Sequence, residues 1–321
     1  MNNKKALEDC NNVNKNNGSL YFGMYPQSIV EDKELISKLN AKVKFMPTYL
    51  NSRGWEFLGY NLEKTYKGTY YIDLELNGDK YRGVYFKDYG DNDWIITHQT
   101  IESWFYSRKE GKDKVYFAWF KFEPIEWEVI KVEDEKALIV SRSLLDFAYF
   151  AEGFSKEKGE DYKSNNYMNS HIRSWLNDCF YKVAFNDTEK ECVEITEVDN
   201  GIESTGDKIN PYVCDNTKDK MFLLSNKEVK VFYLKNSKRR AKCTSYVKEQ
   251  RWYPKNKEAY KQENYWLRSP SVFENKQENG AEAIYKNKVQ CVNKDGEFVN
   301  FDSNTGNIAV RPACWIKLKN N

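Results

Sequence analysis

The stretch YWLRSP, residues 265–270, has a counterpart near the end of the chain in VRPACW, residues 310–315. Each run places one arginine, Arg268 or Arg311, among apolar and aromatic residues beside a proline. Such an arginine could bind an acidic ligand, or it could be bonded inside the protein to a carboxylate and to carbonyl oxygens. Because an unpaired buried charge is costly, we interpret both arginines as structural residues.

Three tryptophans are assigned a structural role together with these arginines. The alternation of side chains along a strand predicts that Trp266 shares a face with Arg268. The same alternation predicts that Trp315 shares a face with Arg311. Trp175 belongs to a run in which apolar residues recur at helical spacing. We therefore expect all three indole rings to support the fold.

The totals of the sequence restrict the class of protein. The chain has 321 residues, enough for about two domains with cores of their own. Its 50 basic and 48 acidic residues leave a formal net charge of +2, which gives no overall reason to expect nucleic acid or an anionic membrane as partner. No apolar run of about 18 residues and no secretory signal is visible. We expect a soluble, cytoplasmic protein without membrane insertion.

Residues that bind metals or activate nucleophiles are sparse. The seven cysteines are widely spaced without a C-x-x-C pair, and the only histidines are His98 and His171. We therefore expect no metal site, no disulfide framework and no catalytic triad. No phosphate-binding glycine motif occurs, so no cofactor is predicted. DYGDND (88–93) and DSNTGN (302–307) could suggest calcium, but the closing acidic position of the second is Ala313, and Asp/Asn turns explain both.

Local patterns predict strands, then helices, then strands again. In chain order they are a hairpin over 69–86 turning at Asn77-Gly78, a strand over 115–122, a second strand beginning at Pro124, a strand over 137–145, a helix over 172–183 after Asn169 or Ser170, a helix from Asn186 to Ile195, a strand over 221–224, a helix capped by Ser225 and Glu228, and strands at 265–270, 281–292, 297–301 and 308–318.

This order, without regular βαβ alternation, indicates an α+β fold. The first twenty residues, rich in Asn and Lys, are predicted to be a flexible lead-in. Residues 21–114 are predicted to form an N-terminal β-rich region, and residues 115–321 a second, α+β domain. The boundary near residue 115 is not marked by any change of composition.

Several runs carry a family resemblance. They are YFGMYPQ (21–27), YYIDLELNGDKYRGVYF (70–86), WFKFEPIEWEVIKVEDEKALIVSRSLLD (119–146), IRSWLNDCFYKVAF (172–185), DKMFLLSNKEV (219–229), RRAKCTSYVKEQ (239–250), YWLRSP (265–270) and VRPACWI (310–316). In this order they resemble an uncharacterised bacterial family known as domain of unknown function 6273. The family usually has Gly before VRP, where this chain has Ala309. The family has no assigned activity, so the resemblance implies no reaction.

A more distant resemblance concerns the end of the chain. The Trp-Leu-Arg-Ser strand followed by a closing Val-Arg-Pro strand is similar to C-type-lectin-like folds of the formylglycine-generating-enzyme type. This resemblance implies that residues 115–321 form a C-type-lectin-like domain whose loops bind a ligand or receptor. The enzymes of that type use a paired cysteine site, and we cannot place one among the late cysteines, Cys291 and Cys314. It therefore implies a binding module rather than an oxidase.

The leading functional hypothesis is a non-catalytic binding or recognition module. Aromatic residues are 16% of the chain, and no catalytic constellation can be recognised in it. We expect the ligand to be a glycan or a protein surface. Its contacts are expected from the loop around residues 271–290, which includes Tyr285 and Asn287, and from Trp252 and Tyr253.

Two alternatives stay open. A hydrolase acting on carbohydrate or cell-wall material would need two carboxylates held across the scissile bond, and such a pair cannot be picked out of 48 acidic residues. Nucleic-acid binding would use residues 235–261, where ten lysines and arginines are interleaved with Tyr246, Trp252, Tyr253 and Tyr260. The near-neutral overall charge favours a surface connection as the role of this segment, and we do not expect nucleic acid as the partner.

Overall fold

The computed structural model describes residues 19–42, 50–51, 54–55, 63–64, 70–87, 115–151, 164–207, 209–249, 263–271, 287–305 and 308–318. Over these residues the protein mixes helix and strand, with more strand than helix. The chain divides into two compact units. Unit 1 takes residues 1–25, 124–247 and 253–321, and unit 2 takes residues 26–123 and 248–252.

The elements of the described residues have the following bounds. The strands are β1 Ser19–Ile29, β2 Leu50–Asn51, β3 Gly54–Trp55, β4 Glu63–Lys64, β5 Tyr70–Leu76, β6 Asp79–Lys87, β7 Val115–Glu133, β8 Lys136–Ser141, β9 Ser143–Leu144, β10 Asp146–Phe147, β11 Thr196–Val198, β12 Thr217–Asp219, β13 Lys242–Cys243, β14 Tyr265–Pro270, β15 Lys288–Val292, β16 Phe298–Asp302, β17 Ala309–Val310 and β18 Ala313–Lys317. The helices are α1 Lys33–Lys42, α2 His171–Trp175, a π-helical turn Leu176–Phe180, α3 Tyr181–Ala184, α4 Asp187–Cys192, α5 Ile202–Thr205, α6 Asn226–Phe232, α7 Asn236–Arg239 and α8 Ser245–Glu249.

Unit 2 contains the predicted hairpin, which is confirmed. Strands β5 and β6 are antiparallel, and Asn77 and Gly78 form the two-residue turn with φ of 54° and 84°. Positive φ at both positions is the geometry that matches the twist of the flanking strands. On the sheet, the guanidinium of the buried Arg82 donates to both carboxylate oxygens of Asp73, at 2.7 and 2.9 Å. The hairpin is therefore held by its turn and by a cross-strand ion pair.

Strand β7 continues through Pro124, so the prediction of two strands separated there is wrong. The first part of β7 pairs with β6, ending at the register pair Tyr81–Lys121. The second part pairs with β8, beginning at Trp127–Ser141. Pro124 lies between these two registers, where a residue without a backbone N–H fits inside a strand. The compact units also change at this point, between residues 123 and 124. The predicted domain boundary near residue 115 stays a prediction.

The apolar core of unit 1 includes residues from the beginning of the chain. The indole nitrogen of Trp127, which is fully buried, donates to the carbonyl oxygen of Phe22 at 2.7 Å. The rings of Phe22 and Phe185 lie 4.9 Å apart. Gly23, next to Phe22 in the chain, has φ of 71°, and a Cβ there would lie 2.7 Å from the Phe185 ring. Only glycine satisfies both the positive φ and this close approach.

The closing run of the chain forms two strands, where the sequence predicts one. Strand β17 pairs with β10 and β14 in a five-stranded sheet of order β10-β17-β14-β15-β16. Strand β18 pairs instead with β8. The chain passes from one sheet to the other at Arg311 and Pro312, because proline cannot donate to a ladder at that position. The predicted alternation of Arg311 and Trp315 along one strand is therefore wrong.

Helix prediction succeeds where the signal is local. Ser170 accepts from the amide of Arg173 as the N-cap of α2. Both predicted capping boxes are present, at Asn186 with Glu189 and at Ser225 with Glu228. The helix that begins after Asn186 ends at Cys192 rather than continuing to residue 195. Capping needs only neighbours three residues apart, so it is readable from sequence.

The run at residues 221–224 is not a strand, contrary to prediction. Its four side chains are all buried, at 0 to 3% exposure. One isolated bridge, between Phe222 and Ala313, is its β-type contact in the described part of the chain. A short apolar run covered on every side lacks the alternation that identifies a strand, so sequence alone cannot assign it.

Candidate functional site

Arg268, from the YWLRSP run, is bonded inside unit 1. Strand β14 is buried along its whole length, and Arg268 is 3% exposed. Its guanidinium forms a fork with Glu228, with N–O distances of 2.5 and 3.0 Å. It also donates to the carbonyl oxygens of Leu223, at 2.7 Å, and Asp199, at 3.0 and 3.2 Å. These bonds use all three nitrogens of the guanidinium as donors, so Arg268 is not available to bind an acidic ligand.

Glu228 links the N-terminus of helix α6 to this arginine. Its carboxylate accepts from the amide of Ser225 at 2.7 Å as the second half of the capping box. Burial by itself would raise the pKa of Glu228. The charge and hydrogen bonds of Arg268, together with the bonds to Ser225, outweigh burial and hold the pKa below its ordinary value. Glu228 is therefore an ionised partner of the arginine at neutral pH.

Arg311 occupies a second buried position in unit 1. It is 4% exposed and donates to the carbonyl oxygen of Ser141 at 2.9 Å. Its guanidinium lies 3.6 Å from a carboxylate oxygen of Glu128 and 3.3 Å from the hydroxyl of Tyr265. The central guanidinium carbon, Cζ, lies 5.3 Å from the ring centre of Tyr233. The corner between β17 and β18 is therefore bonded to β7, β8 and β14.

The three predicted tryptophans lie in different environments. Trp266 is fully buried, and its indole nitrogen donates to the carbonyl oxygen of Ala148 at 2.8 Å. Trp175 is half-buried, with its ring 5.6 Å from that of Phe180. Trp315 is also half-buried on β18. The structural roles assigned to these residues and to both arginines stay predictions until the stability of variants is measured.

A hydrogen-bonded network, which we call the serine network, joins Ser164, Asn287 and Ser303. The Ser303 hydroxyl donates to the Ser164 hydroxyl, and Ser164 donates to the side-chain oxygen of Asn287, both at 2.8 Å. The Ser303 amide donates to the Asn287 carbonyl oxygen, also at 2.8 Å. The Ser303 carbonyl oxygen accepts from the amides of Phe150 and Ala151. Ser303 is fully buried and bonds three separate parts of the chain.

Neighbouring residues extend the serine network. The carbonyl oxygen of Lys288 accepts from the Ser271 amide at 3.0 Å and from the side chain of Asn165 at 3.1 Å. The side chain of Asn210 donates to the Ser271 carbonyl oxygen at 2.9 Å. The residues that flank segments 152–163 and 272–286 are therefore all hydrogen-bonded to the serine network or to its extension, within unit 1.

The predicted ligand-binding residues are only partly described. Asn287 belongs to the serine network, where its oxygen accepts from Ser164. Trp252, Tyr253 and Tyr285 lie outside the described residues. Sequence reasoning placed Asn287 in a candidate loop but did not identify Ser164 or Ser303. A serine has no sequence signal that reveals a partner more than a hundred residues away.

Among the described residues, the buried carboxylates have hydrogen-bond partners inside unit 1. Asp146 accepts from the Tyr25 hydroxyl at 2.6 Å, and Asp219 accepts from Arg173 at 2.7 Å. Glu189 accepts from two backbone amides, at 3.1 and 2.9 Å. Burial raises the pKa of Glu189, while those amides lower it. A raised pKa suits a general acid, but both oxygens of Glu189 are taken up by the capping box and strand β1.

The basic segment 235–261 is described as far as residue 249. Tyr246 is fully buried, with its ring 6.0 Å from that of Tyr25, so it does not offer the exposed stacking platform that the nucleic-acid alternative would use. Arg239 is turned inward, donating to the Tyr233 carbonyl oxygen at 2.9 Å. Its guanidinium also lies over the Phe298 ring at 4.7 Å.

Among the described residues there is neither a metal-binding cluster nor a membrane-spanning helix. Within those ranges no group of three or more His, Cys, Asp or Glu side chains could hold a metal ion. Of the two candidate calcium segments, 88–93 lies outside them, and Asp302 in the other forms a 3.0 Å ion pair with Lys288. None of the described helices is long and apolar enough to cross a membrane.

Comparison with known proteins gives one match. A family model matches residues 134–318, which is more than half of the chain. The family is described as domain of unknown function (DUF6273). No curated protein and no solved structure matches the chain.

Proposed function

We propose that this chain, which belongs to the family described as domain of unknown function (DUF6273), is a non-catalytic binding or recognition protein. The supporting observation is that the residues flanking two chain segments meet at the serine network. Segment 152–163 follows Ala151 and precedes Ser164, and segment 272–286 follows Ser271 and precedes Asn287. All four flanking residues are hydrogen-bonded to the network or its extension.

In many binding proteins, a rigid scaffold carries the loops that contact the ligand. Loops tolerate changes of sequence, while the scaffold fixes where they begin and end. The scaffold here is fixed by buried bonds, since Ser164, Ser271 and Ser303 are almost fully buried. Segment 272–286, VFENKQENGAEAIYK, offers aromatic, amide and charged groups for contacts with a ligand.

A glycan or a protein surface is the ligand class that we propose. Aromatic side chains bind either by large contact areas, and amides add hydrogen bonds with orientation. Tyr285 and Asn287 belong to or flank segment 272–286, and Trp252 and Tyr253 are two further aromatic candidates. The C-type-lectin-like fold proposed for this part of the chain is consistent with such use. The two runs that carry that resemblance supply neighbouring strands, because Tyr265 on β14 pairs with Ala309 on β17.

The first experiment screens the folded full-length chain on glycan arrays and in pull-downs from cell-surface extracts. For any ligand found, Tyr285→Ala and Trp252→Ala are each expected to weaken binding about tenfold or more, the loss typical of an aromatic anchor. Tyr21→Ala is the matched control, since Tyr21 is an exposed aromatic (49%) elsewhere in unit 1. The midpoint of thermal unfolding of each variant should equal that of wild type.

Three results would overturn the proposal. Blank screens with folded protein would remove the binding hypothesis. Equal loss of binding in the Tyr21 control would show that segment 272–286 is not the contact. The third result is cleavage of an array glycan, detected as a change in the mass of the glycan, which would favour the hydrolase alternative.

A further inference from the structure

Helix α6 has one face in the core and one face in solvent. Asn226, Val229 and Tyr233 are buried, and they recur at helical spacing. Away from this buried face, two apolar side chains of the described residues are largely exposed. Val231 is 60% exposed, and Leu234, just after the helix, is 83% exposed. Leu234 is the most exposed of the large apolar side chains in the described residues.

Exposed cations lie close to these two aliphatic residues in the sequence. Lys227 and Lys230 are exposed on the same helical face as Val231, because Lys227 is three residues from Lys230 and four from Val231, and Leu234 follows just after the end of the helix. Further exposed cations follow at once in the chain: Lys235, Lys238, Arg240 and Lys242. We call the exposed residues between 227 and 242 the α6 surface.

The charge of the α6 surface is only partly balanced. Lys227 forms a 2.9 Å ion pair with Glu203, and both side chains are exposed. Among the described residues, no carboxylate lies within ion-pair distance of Lys235, Lys238 or Arg240. The overall charge of the chain is nearly neutral. The positive charge at this place is therefore a local property, which the total of the chain conceals.

We propose that the α6 surface binds the anionic surface of a lipid bilayer. Exposed aliphatic groups next to exposed lysines and arginines fit the interface, where apolar groups enter between head groups and cations lie among lipid phosphates and carboxylates. Nucleic acid fits less well, because single strands are bound by exposed aromatic platforms. Of the aromatic residues in or next to this range, Tyr233 and Tyr246 are buried and Phe232 is half-buried.

The proposal does not depend on the serine network or on its ligand. It concerns contact with a surface rather than crossing of a bilayer, in keeping with the absence of a spanning helix among the described residues. Each cation near an anionic membrane contributes a modest attraction, so several act together and salt weakens them. Leu234 adds a contact that salt does not screen.

The test is sedimentation of the full-length chain with phosphatidylcholine vesicles that contain phosphatidylserine, and with vesicles of phosphatidylcholine alone. We expect binding to the anionic vesicles that decreases with added salt. Lys235→Glu combined with Lys238→Glu is expected to weaken that binding about tenfold or more. Leu234→Asp is expected to weaken it at high as well as low salt.

Matched controls separate the α6 surface from general effects of charge. Ile195→Asp places the same new charge on an aliphatic residue that is 63% exposed elsewhere in unit 1. Lys218→Glu reverses an exposed lysine on strand β12. Both controls should bind vesicles like wild type. Circular dichroism and thermal unfolding should show that all variants are folded.

Several results would overturn the proposal. One is absence of binding to anionic vesicles at low salt. Another is equal loss of binding in the controls and in the α6 variants. A third is that the protein binds a single-stranded oligonucleotide but not vesicles, and that the lysine variants lose the oligonucleotide. That last result would assign the surface to nucleic acid.

Discussion

Arg268 donates to one carboxylate and two carbonyl oxygens from a position almost closed to water. The bonds connect strand β14 to the N-terminus of α6 and to the chain at Leu223 and Asp199. A single side chain thus joins three segments, and the Leu223 carbonyl that it satisfies would otherwise be a buried polar group without this donor. This explains physically why the arginine of YWLRSP belongs to the scaffold.

Arg268→Ala is expected to lower the free energy of unfolding by about 3 kcal/mol, because it leaves Glu228 and two carbonyl groups uncompensated. Glu228 is partly exposed, so water recovers some of that loss. The matched control is Arg142→Ala, whose 3.0 Å pair with Glu126 is exposed on both sides and should be worth at most about 1 kcal/mol. Urea denaturation measures both. Equal effects of the two substitutions would contradict a structural role for Arg268.

The same pair predicts a dependence of stability on pH. The pKa of Glu228 is lowered in the folded protein, so the folded state favours the ionised carboxylate. The stabilisation is present above the ordinary pKa of 4.5 and is lost as the pH falls from there through the lowered folded value. The difference in unfolding free energy between wild type and Glu228→Gln should therefore be constant from pH 7 to about 5 and shrink below. A difference that grows on acidification would contradict the lowered pKa.

At the scale of elements, the helical region 171–184 contains a π-helical turn over Leu176–Phe180. Asn177 in that turn bonds a neighbouring segment with both ends of its amide. Its oxygen accepts from the amides of Lys220 and Met221, at 2.8 and 3.1 Å, and its nitrogen donates to the Met221 carbonyl oxygen at 2.9 Å. The widened turn coincides with the residue whose side chain replaces strand pairing for residues 220–221.

Asn177→Ala is expected to cost about 1–3 kcal/mol of unfolding free energy, since two amides and a carbonyl group lose their partner. The next residue supplies the control. Asp178→Ala removes an exposed side chain whose ion pair with Lys182 is 3.8 Å long, and its effect should stay within about 0.5 kcal/mol. Thermal unfolding followed by circular dichroism compares the two variants. A neutral Asn177→Ala would mean that the turn is not fixed by these bonds.

At the scale of the whole molecule, the beginning of the chain completes a core that is otherwise built from residues after 123. Phe22 accepts from Trp127, and the Tyr25 hydroxyl donates to Asp146. Gly23 donates to Glu189. The family match covers only residues 134–318, so it does not include this part of unit 1.

A fragment of residues 115–321, the domain predicted from sequence, is therefore expected to be less stable than the full chain. The loss of Phe22 and Tyr25 from the core should cost at least about 3 kcal/mol. A synthetic peptide of residues 19–29 should raise the unfolding midpoint of the fragment. The same peptide with Phe22→Asp should not. A fragment that unfolds at the midpoint of the full chain would contradict the assignment of residues 19–25 to unit 1.

The sequence predicted several features correctly because their signals are local. The Asn77-Gly78 turn and the caps at Ser170, Asn186 and Ser225 each depend on residues within a few positions. The buried run at 221–224 and the passage of β7 through Pro124 were assigned wrongly. In both cases the outcome depends on which distant strands lie beside the segment.

The mixed strand and helix composition, the family and the chemical types of residue at the candidate sites can all be read from the amino-acid sequence. The bonding partners of those residues cannot, because they depend on how the chain folds. Glu228 is 40 positions from Arg268, and Ser164 is 139 positions from Ser303. Ser141 is 170 positions from Arg311, at the corner where one predicted strand becomes two. Bonds over such separations are set by the packing of strands and helices, which neither local propensity nor spacing encodes.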